Sequence, residues 1–203
     1  MFKYRIPAIV RMFYRGVIWR MNKKERKIYI TFDDGCIPEV TPIVLDILNK
    51  NNVKATFFCV GENVEKYPDI FKLLGEQGHS VGCHTHNHLL GMKTATDVYV
   101  ENVQKANVLI KSKLFRPPYG KMTFAQKRIL QQDFKLIFWD LLTNDFDKTL
   151  SPQEIMHHIR RYSRNGSIVV FHDSIKAKEN MLSVLPEAIG FWKNEGYQFE
   201  ILK

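Results

Sequence analysis

Seven short runs of β-branched, aromatic and aliphatic residues recur along the chain, at 28–32, 54–60, 79–83, 113–116, 135–139, 167–172 and 197–202. The intervals between them carry helical spacing instead. Val40, Ile43, Val44, Ile47 and Leu48 form one apolar stripe, Tyr99, Val103, Ala106 and Ile110 a second, and Leu182, Leu185, Ile189 and Trp192 a third. A further helix is predicted after Ser151, with Pro152 in its first turn, Glu154 completing a capping box and Gly166 just past its end. Strands that alternate with helices are joined by crossovers, so they build a parallel sheet covered by helices. The choice is then an α/β barrel or a doubly wound open sheet.

Polar residues favour the barrel. Asp33, His84, Arg116, Asp140 and His172 each directly follow a strand run. A closed barrel gathers such residues at one rim, whereas an open sheet spreads them along its whole edge. With 203 residues, 45% of them hydrophobic, the chain is long enough for one substantial core. Beyond about residue 27 no linker, repeat or low-complexity tract interrupts it, so residues 28–203 read as one catalytic domain.

The formal net charge of +9 raises the question of a polyanionic partner, and its distribution answers it. Residues 1–27 hold nine lysines and arginines against Glu25 alone, which leaves the remaining chain close to neutral. Nucleic-acid binding is therefore not expected. The leader places Ile6, Ile9, Val10, Phe13 and Val17 on one helical stripe, with Arg11 and Arg15 interrupting every apolar run. Neither a cleavable signal peptide nor a transmembrane helix is expected, and a cytoplasmic or membrane-peripheral location follows. The leader either contacts an anionic membrane surface or packs against the domain. Cys36, Cys59 and Cys83 cannot all pair, and they read as reduced packing residues.

Chemistry concentrates in two places. Asp33 and Asp34 end the alternating run Ile28-Tyr29-Ile30-Thr31-Phe32, and Gly35 closes them with a turn residue. About fifty residues on, His84-Thr85-His86-Asn87-His88 follows the run ending at Cys83. Together these residues can hold one divalent metal and leave a coordination position open. His79, His157 and His158 read as structural, and His86 as solvent-facing. Thr85 occupies the Glu position of His-Glu-x-x-His, which argues against a zincin, and no Gly-x-Ser-x-Gly elbow occurs.

Five ordered segments carry a family resemblance: Thr31-Phe32-Asp33-Asp34-Gly35, His84 to His88, Arg116-Pro117-Pro118-Tyr119-Gly120, Trp139-Asp140 through Asp145, and Ile168 to Asp173. The set resembles the NodB-type polysaccharide deacetylases, carbohydrate esterase family four, over roughly residues 27–203. The resemblance implies a distorted seven-stranded (β/α) barrel and metal-dependent removal of acetyl groups from N-acetylated oligo- or polysaccharides. It makes Asp34, His84 and His88 the ligands of one divalent ion, zinc first and cobalt or another ion as alternatives. It also makes Asp33 the base, Arg116 the residue that tunes it, His172 the general acid and Tyr119 the backbone N–H donor to the oxyanion. Asp145 is the expected partner of His172, with Asp140 and Asp173 as nearby alternatives.

Three positions depart from the family pattern. Cys36 stands where a proline is common, Leu142 where an aspartate is frequent, and Phe146 in place of a tryptophan beside Asp145. The alternative readings are a metal hydrolase of small acyl esters or amides and a metal-dependent sugar-binding module without turnover.

Overall fold

The structure, a computed structural model, describes residues 4, 5, 7, 11, 12 and 14–203. Its strands in chain order are β1 Val17–Ile18, β2 Lys27–Asp33, β3 Thr56–Cys59, β4 Ser80–Cys83, β5 Leu114–Phe115, β6 Lys135–Ile137, β7 Leu141–Leu142, β8 Ser167–His172 and β9 Gln198–Phe199. All seven expected strands are present. β1 and β7 are additional, and at two residues each they are too short to show a period. They form because the outer edges of β6 and β8 offer backbone groups that need partners.

The helices are α1 Thr41–Lys50, α2 Gly61–Lys66, α3 Pro68–Glu76, α4 Thr96–Ile110, α5 Phe124–Leu130, α6 Pro152–Tyr162 and α7 Lys178–Asn194. The strand order is β1-β6-β5-β4-β3-β2-β8-β7, with β9 beside β2, and every strand pair is parallel. The sheet curls until its outer strands approach. Arg20, just past β1, bridges Ser167 at the start of β8, and the Asp140 N–H bonds to the Ile168 carbonyl at 3.0 Å. This is a distorted (β/α) barrel with a seam between β6 and β8.

β2 lies at the centre, and from Ile28 to Asp33 it is buried on both faces, as a strand covered by helices must be. The register then aligns the strand ends. Asp33 pairs with His172 and Phe58, Cys59 with Cys83, and Cys83 with Phe115. The next residues along, Asp34, His84 and Arg116, therefore emerge side by side.

Residues expected ahead of the domain belong to it. Trp19 is in the core, Tyr14, Val17, Ile18 and Met21 pack against it, and the Met21 N–H bonds to the Gly166 carbonyl at 2.9 Å. Of the leader's apolar stripe, Val17 lies in β1, while Ile6, Ile9, Val10 and Phe13 fall outside the described residues. The capping box of α6 forms as expected, with Ser151 Oγ accepting from the Glu154 N–H at 3.2 Å. Gly166 does not terminate that helix, which ends at Tyr162. Its φ of +74° turns the chain into β8, and a side chain there would meet the Met21 and Asn22 carbonyls at 2.7 Å.

Candidate active site

Asp34, His84 and His88 converge. Their ligand atoms all lie within 4.8 Å of one another, with Asp34 Oδ1 at 3.3 Å from His88 Nε2 and 4.0 Å from His84 Nε2. The turn that makes this possible is not where the sequence suggests. The left-handed residue after β2 is Asp34 itself, at φ 86°, and Thr85 and His88 adopt φ values of 63° and 55°. Non-glycine residues rarely occupy this region, and clusters of them mark functional sites. Gly35 is required for a different reason: a Cβ there would stand 2.1 Å from Asp173 Oδ2.

The donor set fits a divalent ion. Asp34 Oδ1 is buried with no hydrogen-bond donor, although both imidazole Nε2 atoms face it. The Arg116 carbonyl accepts from His84 Nδ1 at 2.8 Å, which leaves the Nε2 lone pair toward Asp34. Burial pushes His84 down to about 4, so the ring is neutral and able to ligate. Burial works against the Asp34 charge, yet His88 and the His172 charge outweigh it and hold the carboxyl well below the usual carboxylate range. Two imidazoles and a carboxylate are a common ligand set for zinc with a position left open. The Asn63 side chain, on α2, donates to the Asp34 carbonyl at 2.8 Å and steadies the turn.

Asp33 is bound from below by a fully buried arginine. Arg116 Nη1 donates to Asp33 Oδ1 at 2.5 Å and to Thr31 Oγ1 at 2.8 Å. Its Nε and Nη2 reach the Ile137 and Phe138 carbonyls at 3.3 and 3.1 Å, and the Phe58 ring lies 4.0 Å from the guanidinium carbon. A buried guanidinium is tolerated only when its donors are used in this way.

His172 faces Asp145. Its Nδ1 lies 2.8 Å from Asp145 Oδ1, and its backbone N–H donates to Oδ2 at 2.8 Å. Burial alone would lower this histidine, but the Asp145 charge and hydrogen bond prevail and raise it to about 9. Phe146 meets the imidazole edge-on at 4.9 Å, so an aromatic wall persists despite the missing tryptophan. Tyr119, left-handed at φ 61°, sets its ring edge-on to His88 at 4.8 Å.

Three sequence expectations need correcting here. Asp140 does not join the rim: it lies level with Ile168 near the start of β8, because the strand read as 135–139 ends at Ile137 and β7 begins only at Leu141. Asp173 turns away from His172, accepting from the Gly35 N–H at 2.9 Å and the Thr41 hydroxyl at 2.6 Å. His86 is also buried rather than solvent-facing, packed against Gly61 of α2 with its Nδ1 unpartnered. Cys36, Cys59 and Cys83 are free and buried. The sequence did not single out Thr31, Phe58 or Asn63; only the packing of β2, β3 and α2 shows what they touch.

A family model described as polysaccharide deacetylase matches residues 20–134. The chain belongs to the polysaccharide deacetylase family. Within this NodB-type group, it is 34% identical over 189 residues to a peptidoglycan-N-acetylglucosamine deacetylase of Bacillus cereus, spanning 89% of this chain and 68% of the relative. It is 30% identical over 198 residues to the peptidoglycan-N-acetylmuramic acid deacetylase PdaA of Bacillus subtilis, spanning 93% and 72%. The crystal structure of the Bc1960 peptidoglycan N-acetylglucosamine deacetylase superimposes with a TM-score of 0.90 at 29% identity, covering 97% of this chain and 95% of that one. This polysaccharide deacetylase is a hydrolase of non-peptide amide bonds. None of its described helices is long and apolar enough to cross a membrane.

Proposed function

We propose that this polysaccharide deacetylase removes N-acetyl groups from sugars of a peptidoglycan-type glycan, using one divalent ion, zinc first and cobalt as a substitute, held by Asp34, His84 and His88. The observation that carries the reading is the convergence of that ligand set with two further groups, Asp33 one residue away and His172 opposite Asp33 in register. When bound, such an ion supplies Lewis acidity, which makes water nucleophilic near neutral pH and polarises an acetyl carbonyl.

The chain's own residues move the protons. Asp33 takes the proton of the attacking water, with Arg116 occupying its Oδ1 as the cationic partner and fixing its orientation. The Tyr119 N–H donates to the oxygen that becomes negative, a preorganised dipole on a turn held beside His88. His172, kept cationic by Asp145, gives its proton to the departing sugar amine. Acetate and a free amine result. The substrate class follows the peptidoglycan N-acetylglucosamine deacetylases that the chain is similar to. The register of Asp33 with His172 across β2 and β8 supports turnover over a binding module.

The test is acetate release from peptidoglycan fragments and N-acetylglucosamine oligomers. Chelation should abolish it, zinc or cobalt should restore it, and His88→Ala should lose bound metal by elemental analysis. Full metal occupancy in Asp34→Ala, His84→Ala and His88→Ala would remove the ligand assignment. Release from acetyl esters alone would favour the small-acyl hydrolase.

A further inference from the structure

Four consecutive residues tie the two ligand-bearing turns together. The Val60 N–H donates to the Gly35 carbonyl at 3.0 Å, and the Gly61 and Glu62 N–H groups, at the start of α2, donate to the Thr85 and His86 carbonyls at 2.9 Å each. The Asn63 side chain completes the set on the Asp34 carbonyl. Gly61 permits the approach, because a Cβ there would stand 2.6 Å from His86 Nδ1 and 2.9 Å from the Ala106 Cβ of α4.

The two histidines are held differently. His84 directly follows β4, with its N–H bonded to the Cys59 carbonyl at 2.9 Å and its ring to the Arg116 carbonyl at 2.8 Å. His88 comes four residues later, at the end of a loop in which Thr85 and His88 are both left-handed, at φ 63° and 55°. Such backbone persists only where its surroundings fix it. The fixing group comes from α4, which carries none of the ligands or catalytic residues. Asn102 Oδ1 accepts from the His86 N–H at 2.8 Å and the Asn87 N–H at 3.3 Å, and Asn102 Nδ2 donates to Asn87 Oδ1 at 3.1 Å. Two N–H donors can meet only the oxygen of an amide, so the orientation of Asn102 is set by the loop it holds.

We propose that Asn102 is a positioning residue of the metal centre, which sets where the His88 imidazole stands relative to Asp34 and His84. This role rests on the ligand assignment of Asp34, His84 and His88. Asn102 acts through the backbone of His86 and Asn87, the two residues between the left-handed Thr85 and His88. Without the amide, two N–H groups lose their acceptor and the loop can relax. His88 should then lose its place, while His84 keeps its own anchors on Cys59 and Arg116.

In the full chain, Asn102→Ala should bind zinc about 10–100-fold more weakly than the native protein, measured by competition with a chromophoric chelator, as when a partner that orients a metal ligand is lost. Asn102 is half-buried and alanine favours a helix, so the melting temperature of the metal-free variant should stay near the native one. Asn102→Leu, similar in size and without polar atoms, takes its place if the alanine variant folds poorly. Asn102→Asp keeps an acceptor for both N–H groups and should recover part of the affinity. Cobalt gives a spectroscopic check, since the visible absorption of the loaded Asn102→Ala should differ from the native spectrum when His88 has moved. Native affinity and spectrum in the variants would overturn this role, and so would a lowered melting temperature with unchanged zinc affinity. Equally weak binding in Asn102→Ala and Asn102→Asp would also overturn it, because the acceptor would then not be what matters. A native chain that binds no zinc removes the ligand assignment itself and this role with it, whereas tight native binding matched by the variants removes this role alone.

Discussion

Asp33 and His172 are direct neighbours in register across the β2–β8 pairing. The ladder continues past them, with the Asp173 N–H bonded to the Asp33 carbonyl at 3.1 Å. The proposed base and acid thus sit on adjacent strands of one buried sheet rather than on loops, and their spacing is set by backbone hydrogen bonds.

Asp33→Asn keeps the shape of the side chain but removes its basicity. Turnover should fall by about 10²–10⁴, while zinc content measured by elemental analysis stays at the native level. Near-normal acetate release would take Asp33 out of the mechanism.

The pH profile should have an alkaline limb set by His172. The acid must be protonated to act, and its value is raised to about 9, so kcat/KM should hold through neutral pH and fall as pH rises through that value. Asp145→Asn removes the principal raising partner, and the limb should move toward the ordinary histidine range. The same sign applies to stability: the His172–Asp145 pair contributes fully below about 6.5 and loses its contribution as pH rises through about 9. A limb that does not move in Asp145→Asn would contradict this assignment.

Arg116→Met should destabilise the fold by about 3–5 kcal/mol, because it leaves Asp33 buried without its cationic partner. Arg116→Lys should recover only part of the loss, since an ammonium cannot reach Thr31, Asp33 and two carbonyls at once. Urea denaturation of both variants measures the difference.

Trp19 tests whether the leader is part of the barrel. The ring is buried against Phe138 at 4.5 Å, so Trp19→Ala should cost about 3–5 kcal/mol and lower the melting temperature. A change within experimental error would mean that the segment ahead of β2 adds nothing to the core.

The strands, most of the helical stripes and the spacing of the acidic pair and the histidines were legible in the sequence, because periodicity and motif spacing are local properties, but in the first stripe Ile43 is exposed while Thr41 and Leu45 are buried. Asp33, Asp34, His84, Arg116 and His172 could be recognised as strand-end residues for the same reason. What local pattern could not carry was the position of Asp140. Two residues of strand, Leu141–Leu142, are too few to show alternation, yet they move Asp140 from one end of a strand to the other. Likewise the sequence located the turn at Gly35, whereas the left-handed conformation falls on Asp34 and Gly35 answers to the close approach of Asp173, more than a hundred residues away. Register across parallel strands brings such residues together, and it is decided by the packing of the whole barrel.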